Sequence, residues 1–183
     1  MDIIFATSNI DKVREASNIL GFKLRSSHVK LDEIQSVSVV EVAKHKAFQA
    51  HAVLKQPVVV EDTGLFINEL NGFPGPLVKL VIGRLGPGGL CRIVNCCSNR
   101  KAYADTCVAF CDGSLAKTFI GRTYGTIATK PKGEGGFGWD SVFIPNGHSK
   151  TFAEMTLEEK VSLSMRSMAF LKFERFLEGK KRI

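Results

Sequence analysis

Apolar and polar positions divide the chain into short strand-like and helix-like stretches that follow one another in turn. Residues 2–9, DIIFATSN, read as a strand running into a turn. The next stretch, IDKVREASNILG, carries Val13, Ala16 and Leu20 on one helical face, with Asn9 as its N-cap and Gly21 just past its end. Short strands are expected around Phe22 to Arg25 and Val29 to Leu31. Ser38 and Glu41 then form a capping box that opens a long helix to about Leu54. That helix leads into VVVEDTG, residues 58–64, where three successive valines predict a strand covered on both faces. The pattern ends this strand at Glu61 and Asp62, with Thr63 and Gly64 as a turn.

Further on, LFINEL gives way to the turn-rich NGFPGP. A helix from about Leu77 to Leu85, the breaker GPGG and a short helix near Leu90 to Cys97 follow. AYADTCVAF and LAKTFIGRTYG read as strands joined by a hairpin at Asp112-Gly113. KPKGEGGFGWD holds too many breakers for a regular element, and SVFIP returns to strand. Thr156 and Glu159 form a second capping box. On one continuous helix beyond it, Arg166 would lie about 200° round from Ser164. A break near Ser164 is therefore expected, with Arg166 in an exposed first turn and a second stripe at Met165, Ala169, Phe173, Phe176 and Leu177. Alternating patterns of this kind define an α/β or α+β class.

Composition narrows the picture. With 183 residues, 44% hydrophobic and 23% charged, the chain is one domain of ordinary size or two small lobes, able to bury a core. The net charge of +7 suits an anionic partner, although the basic residues are dispersed except in the tail GKKRI, which reads as a solvated terminus. Five cysteines without a C-x-x-C pair argue against a disulfide framework and a structural zinc site. No secretory or membrane-spanning segment is legible, so a reducing, cytoplasmic compartment is expected.

Four stretches carry candidate chemistry. ATSNIDK, residues 6–12, is a strand-to-helix turn whose backbone N–H groups and Lys12 offer an anion site, without the spacing of a Walker loop. Glu61 and Asp62, ionised about 6 Å apart at an effective dielectric of about 20, would repel by roughly 3 kcal/mol. Either Mg²⁺ relieves that repulsion, or both acids are solvated at a strand end. GGFGWD places Phe137, Trp139 and Asp140 in a glycine-rich loop, able to grip a planar base or to fold onto the core. Lys160, Ser164 and Arg166 converge only if the helix breaks between them.

In this order, FATSNIDK, VVVEDTG with LNGFPGP, FGWDSVFIPNG, and KTFAEMTLEEK leading to SMR resemble the Ham1-type inosine triphosphate pyrophosphatases over nearly the whole chain. The resemblance implies a single domain over residues 1–183 with a two-lobed α/β, ITPase/Maf-like fold. A long central mixed β-sheet would be flanked by helices, with a nucleotide cleft between the lobes. It implies a homodimer that hydrolyses ITP, dITP and XTP to the monophosphate and pyrophosphate with Mg²⁺, and no membrane or nucleic-acid partner. By position in the matched motifs, Thr7, Ser8, Asn9, Lys12 and Lys46 would hold the triphosphate, and Glu33 and Asp62 the metal. Phe137, Gly138, Trp139 and Asp140 would line the base and sugar pocket, closed by Lys160, Ser164, Met165 and Arg166. Asp62 or Glu61 would position the attacking water, with Lys12 and Lys46 stabilising charge on the leaving group. Met165 stands where the family usually has His, and Ser141 where Pro is common. A Maf-like pyrophosphatase, or a non-catalytic nucleotide or nucleic-acid binding protein, would be the alternatives.

Overall fold

The computed structural model describes residues 3–181, so Asp2 of the expected first strand and Arg182 and Ile183 of the basic tail lie outside the described residues. Strand β1 (Ile4–Ala6) runs into helix α1 (Ile10–Leu20) through the expected cap. The Asn9 Oδ1 accepts the N–H groups of Asp11 at 2.9 Å and Lys12 at 3.3 Å, and Gly21 ends the helix at a φ of 70°. Neither of the strands expected around Phe22 to Arg25 and Val29 to Leu31 forms, and the two-residue β2 (Ser26–Ser27) lies between them. Among the described residues it pairs only with β1, in a two-residue ladder that ends as β1 turns into α1. In α2 (Val39–Leu54) Ser38 caps as expected. Glu41, however, accepts the Ser36 hydroxyl at 2.6 Å in place of closing the box.

The main departure is β3 (Val58–Ile67), which continues through Glu61 and Asp62 where a turn was expected. Each of its residues is paired antiparallel with β5 (Lys101–Cys111), from Val58 opposite Cys111 to Ile67 opposite Ala102. A turn at Thr63 would forfeit the rest of that ladder and leave its backbone groups without partners. The short β4 (Pro74–Gly75) pairs back onto β3, leading to α3 (Val78–Asn95), which kinks at Gly86 just before Pro87. The expected hairpin joins β5 to β6 (Ala116–Ile127), with Asp112 Oδ1 accepting the N–H groups of Ser114 and Leu115. After the irregular glycine-rich loop come β7 (Phe143–Pro145), α4 (Leu157–Leu163) and α5 (Met165–Lys181).

Among the described residues, seven strands make one mixed sheet in the order β2-β1-β3-β5-β6-β7, with β4 added to β3. Helices cover both faces. Ala43, Ala47 and Ala50 bring α2 close over Val58, Val60 and Cys107. On the other face Ala16 and Phe170 with Phe173 pack over Phe5, Val59 and Phe110. Gly121 of β6 lets α5 lie directly on the sheet, since a side chain there would run into the Met165 carbonyl and Ala169. The cysteines are free, and Cys91, Cys107 and Cys111 are buried as expected for reduced core thiols. Among the described residues no helix is long and apolar enough to cross a membrane.

Candidate functional site

Strand β3 is longer than the neighbours on its outer edge, and this creates the site. β1 pairs with Val58 and Val59, β4 with Leu65 and Phe66, and among the described residues no strand lies on that edge in the interval from Val60 to Gly64. A cavity of about 760 Å³ opens into the gap. It is lined by the turn from β1 into α1 (Thr7, Ser8, Asn9, Lys12), the loop through Glu33, Lys46 of α2, and Glu61, Asp62 and Thr63 of β3. Lys79 of α3, Phe137, Gly138 and Trp139 of the glycine-rich loop and Arg166 of α5 complete it. Ligand sites of α/β sheets lie beyond strand ends in this way.

Because the strand stays extended, Glu61 and Asp62 point to opposite faces, and each meets its own cations. Glu61 accepts two N–H bonds from Arg166, both at 2.8 Å, and one from the Thr63 hydroxyl at 2.8 Å, with the Lys12 ammonium at 3.2 Å. Although burial opposes ionisation, the Arg166 and Lys12 charges hold its carboxyl well below the usual range. Asp62 instead shares Lys46 with Glu33, at 2.9 and 2.7 Å. Burial pushes the Asp62 carboxyl above its usual range against the pull of Lys46 and Lys12. Its Oδ2 is buried and, among the described residues, has no hydrogen-bond partner. The repulsion expected between the two acids is thus offset by fixed cations, Arg166 and Lys12 beside Glu61 and Lys46 beside Asp62.

Behind Glu61 lies a buried ion network that joins four elements. Arg166 also donates to Glu15 of α1, and Lys160 of α4 bonds Glu15 and Asp140 at 2.6 Å each. Lys12, Lys160 and Arg166 face Glu15, Glu61 and Asp140, so cations and carboxylates balance. Losing one partner from such a buried set typically costs about 3–5 kcal/mol. The network exists because the chain breaks at Ser164, whose extended ψ of 146° separates α4 from α5 and whose Oγ accepts the Ser167 N–H. The expected break is present, but Arg166 is 2% exposed and lies inside the protein, not in a solvated first turn.

The structure gathers Thr7, Ser8, Asn9, Lys12, Glu33, Lys46, Glu61, Asp62, Phe137, Gly138, Trp139 and Arg166 around the cavity, and leaves Asp140, Lys160, Ser164 and Met165 outside its lining. Asp140 accepts the Phe137 N–H and the Lys160 ammonium, so it shapes the loop from behind. Met165 packs with Trp139, Phe143 and Phe152 in the core and adds buried apolar surface there. Trp139 stands edge-on to Phe143 at 5.5 Å, and the loop is folded onto the core by its aromatic, with only part of the indole left at the cavity. The N–H groups of Asp11 and Lys12 are spent on the Asn9 cap and are not available to an anion. Glu15 and Lys79 were not foreseen. Glu15 sits one turn after Lys12, beside Ala16 on the inward face of α1, and a charge at a core-facing position was the signal for it.

A cleft lined by several cations, with the Asp62 carboxylate on one wall and aromatic rings at the other end, defines an α/β protein made for a small polyanion with a planar part. The chain belongs to the Ham1 family, whose pattern its residues 3–176 match. It is 44% identical to the dITP/XTP pyrophosphatase of Methanopyrus kandleri over 185 residues, covering 99% of this chain and 97% of that protein. It is 41% identical to the inosine triphosphate pyrophosphatase of Schizosaccharomyces pombe, over 98% of this chain and 96% of that protein. The solved structure of the Staphylococcus aureus Ham1 protein superposes with a TM-score of 0.85 at 26% identity, over 98% of this chain and all of the other.

Proposed function

We propose that this protein is a nucleoside triphosphate pyrophosphatase that cleaves ITP, dITP and XTP to the monophosphate and pyrophosphate. The observation that carries the proposal is the buried, partnerless Oδ2 of Asp62 beside Lys46 at the edge gap of β3. An orphaned buried oxygen costs about 1–3 kcal/mol unless a ligand satisfies it. Lys12, Lys46 and Lys79 border the same cavity, where a triphosphate would spread its charge. They stabilise the negative charge that builds up on the departing pyrophosphate. Of the two acids only Asp62 keeps an oxygen without a partner among the described residues, so Asp62 is the one assigned a direct role at the phosphates.

Mg²⁺ is part of this proposal. Among the described residues no cluster of three or more His, Cys, Asp or Glu side chains could cage a metal. Mg²⁺ does not need one, since it is held through one or two carboxylates with the rest of its shell from water and phosphate. Asp62 and the exposed Glu33, which bracket Lys46, fit that donor set. When bound, the ion would neutralise phosphate oxygens of the substrate. A homodimer in a reducing, cytoplasmic compartment also belongs to the proposal. The exposed Tyr124 and Ile120 on the open face of β6 and the free thiols support it.

Base choice is read at the other end of the cavity. Arg166 has only donors, which suits the O6 acceptor of hypoxanthine or xanthine and opposes the amino group of adenine. Pyrophosphate release from ITP, XTP, dITP, GTP and ATP with Mg²⁺ tests the proposal, with ITP and XTP expected to lead. Arg166→Ala is expected to shrink the ratio of ITP to ATP turnover by about 10-fold or more. Equal turnover of all five nucleotides by the unaltered protein would contradict it.

A further inference from the structure

Resting on the pyrophosphatase reading above, we infer that Glu61 is a positioning residue that sets base selection by clamping Arg166, and takes no part in activating water. Both of its oxygens are held: Oε2 accepts the Arg166 Nε–H, and Oε1 accepts an Arg166 Nη2–H and the Thr63 hydroxyl. The Glu61 side chain has no exposed surface. Asp62, by contrast, keeps an oxygen without a hydrogen-bond partner among the described residues.

The clamp is anchored in the middle of the sheet. Thr63 and Thr106 are register partners on β3 and β5, and their hydroxyls lie 2.9 Å apart. Since Thr63 donates to Glu61, Thr106 donates to Thr63, and the chain of bonds runs Thr106 to Thr63 to Glu61, which in turn receives Arg166. Glu15 holds the remaining Nη1 from the other side, and the Phe137 ring lies 5.3 Å from the guanidinium carbon. Three of the five guanidinium N–H groups are therefore fixed, while Arg166 still borders the cavity.

Electrostatics decides what those remaining donors receive. With carboxylates on two sides, Arg166 is a poor attractor for a phosphate, whose charge Glu15 and Glu61 oppose. A neutral carbonyl oxygen meets no such opposition. A guanidinium held by a bidentate carboxylate is also pre-organised, so little rotamer freedom remains to be lost when the base arrives. Glu61 thus acts on the base through Arg166, on the face of the sheet opposite Asp62.

Steady-state kinetics on Glu61→Gln tests this. Gln keeps the volume but can accept only through one oxygen, so the guanidinium loses half its clamp. kcat/KM for ITP is expected to fall by about 10-fold or more, chiefly through KM, while kcat/KM for ATP stays within about 3-fold. In an Arg166→Ala background, adding Glu61→Gln is expected to change ITP kinetics by no more than about 2-fold, because residues that act as a unit are not additive. Thr106→Val, which removes only the far end of the chain of bonds, is expected to shift the ITP to ATP ratio by about 2-fold in the same direction and answers the question if Glu61→Gln does not fold. A fall in kcat of about 100-fold for ITP and ATP alike, or an undiminished effect of Glu61→Gln without Arg166, would overturn the inference and place Glu61 at the water. Failure of the unaltered protein to prefer ITP would instead overturn the pyrophosphatase reading itself.

Discussion

Glu61 and Asp62 differ by one position, and that step decides their chemistry. Val58 and Val60 lie under α2, the face on which Asp62 meets Lys46, and Val59 lies under α1 and α5, the face on which Glu61 meets Lys12 and Arg166. From the sequence their adjacency predicted repulsion and a common remedy. Alternation along an extended strand supplies two separate remedies, and only Asp62 keeps an unsatisfied oxygen. Asp62→Asn is accordingly expected to lower kcat for ITP by about 100-fold or more. Its melting temperature is expected to stay within about 4 °C, since burial already disfavours the charged carboxylate and Lys46 keeps Glu33. Parallel kinetics and thermal unfolding check this, and unchanged turnover would remove Asp62 from the reaction. Glu15 was hidden in the sequence because its partners lie 145 and 151 positions away, and local spacing carries no trace of such pairs.

At the scale of elements, caps and breakers were the most legible features. Asn9, Ser38 and Thr156 start their helices where expected, Gly86 kinks α3, and the hairpin turns at Asp112 and Gly113. Each depends on bonds within a few residues, which spacing reveals directly. The extent of β3 was not legible, because it is set by the distant β5 ladder, and the strands expected at 22–25 and 29–31 give way to a two-residue β2 between them, whose place is set by pairing with β1. Placement of α5 also rests on a contact no local pattern shows, the bare backbone of Gly121 beneath Met165 and Ala169. Gly121→Ala is expected to destabilise the fold by about 1–3 kcal/mol through overpacking. It is also expected to lower affinity for ITP, since moving α5 moves Arg166. Chemical denaturation together with KM measures both, and a fully stable variant would show that α5 seats without this close approach.

For the whole molecule, a net charge of +7 pointed to an anionic partner without locating it, because the basic residues are spread along the chain. Folding concentrates Lys12, Lys30, Lys46 and Lys79 around one gap between β1 and β4, with helices from both ends of the chain closing it. The fold class was legible from alternating patterns and the candidate residues from matched motifs. What turned on topology was the division between a wall of residues that border the cavity and a buried network that holds them. The central claim is that the free oxygen of Asp62 faces the phosphate chain of a bound purine nucleotide with its divalent ion. Anomalous diffraction from crystals grown with Mn²⁺ and a non-hydrolysable ITP analogue tests it most directly. The expected result is a manganese peak within bonding distance of Asp62 Oδ2 and of the phosphates. A nucleotide bound with Asp62 still lacking a partner, or with the metal seated elsewhere, would contradict it.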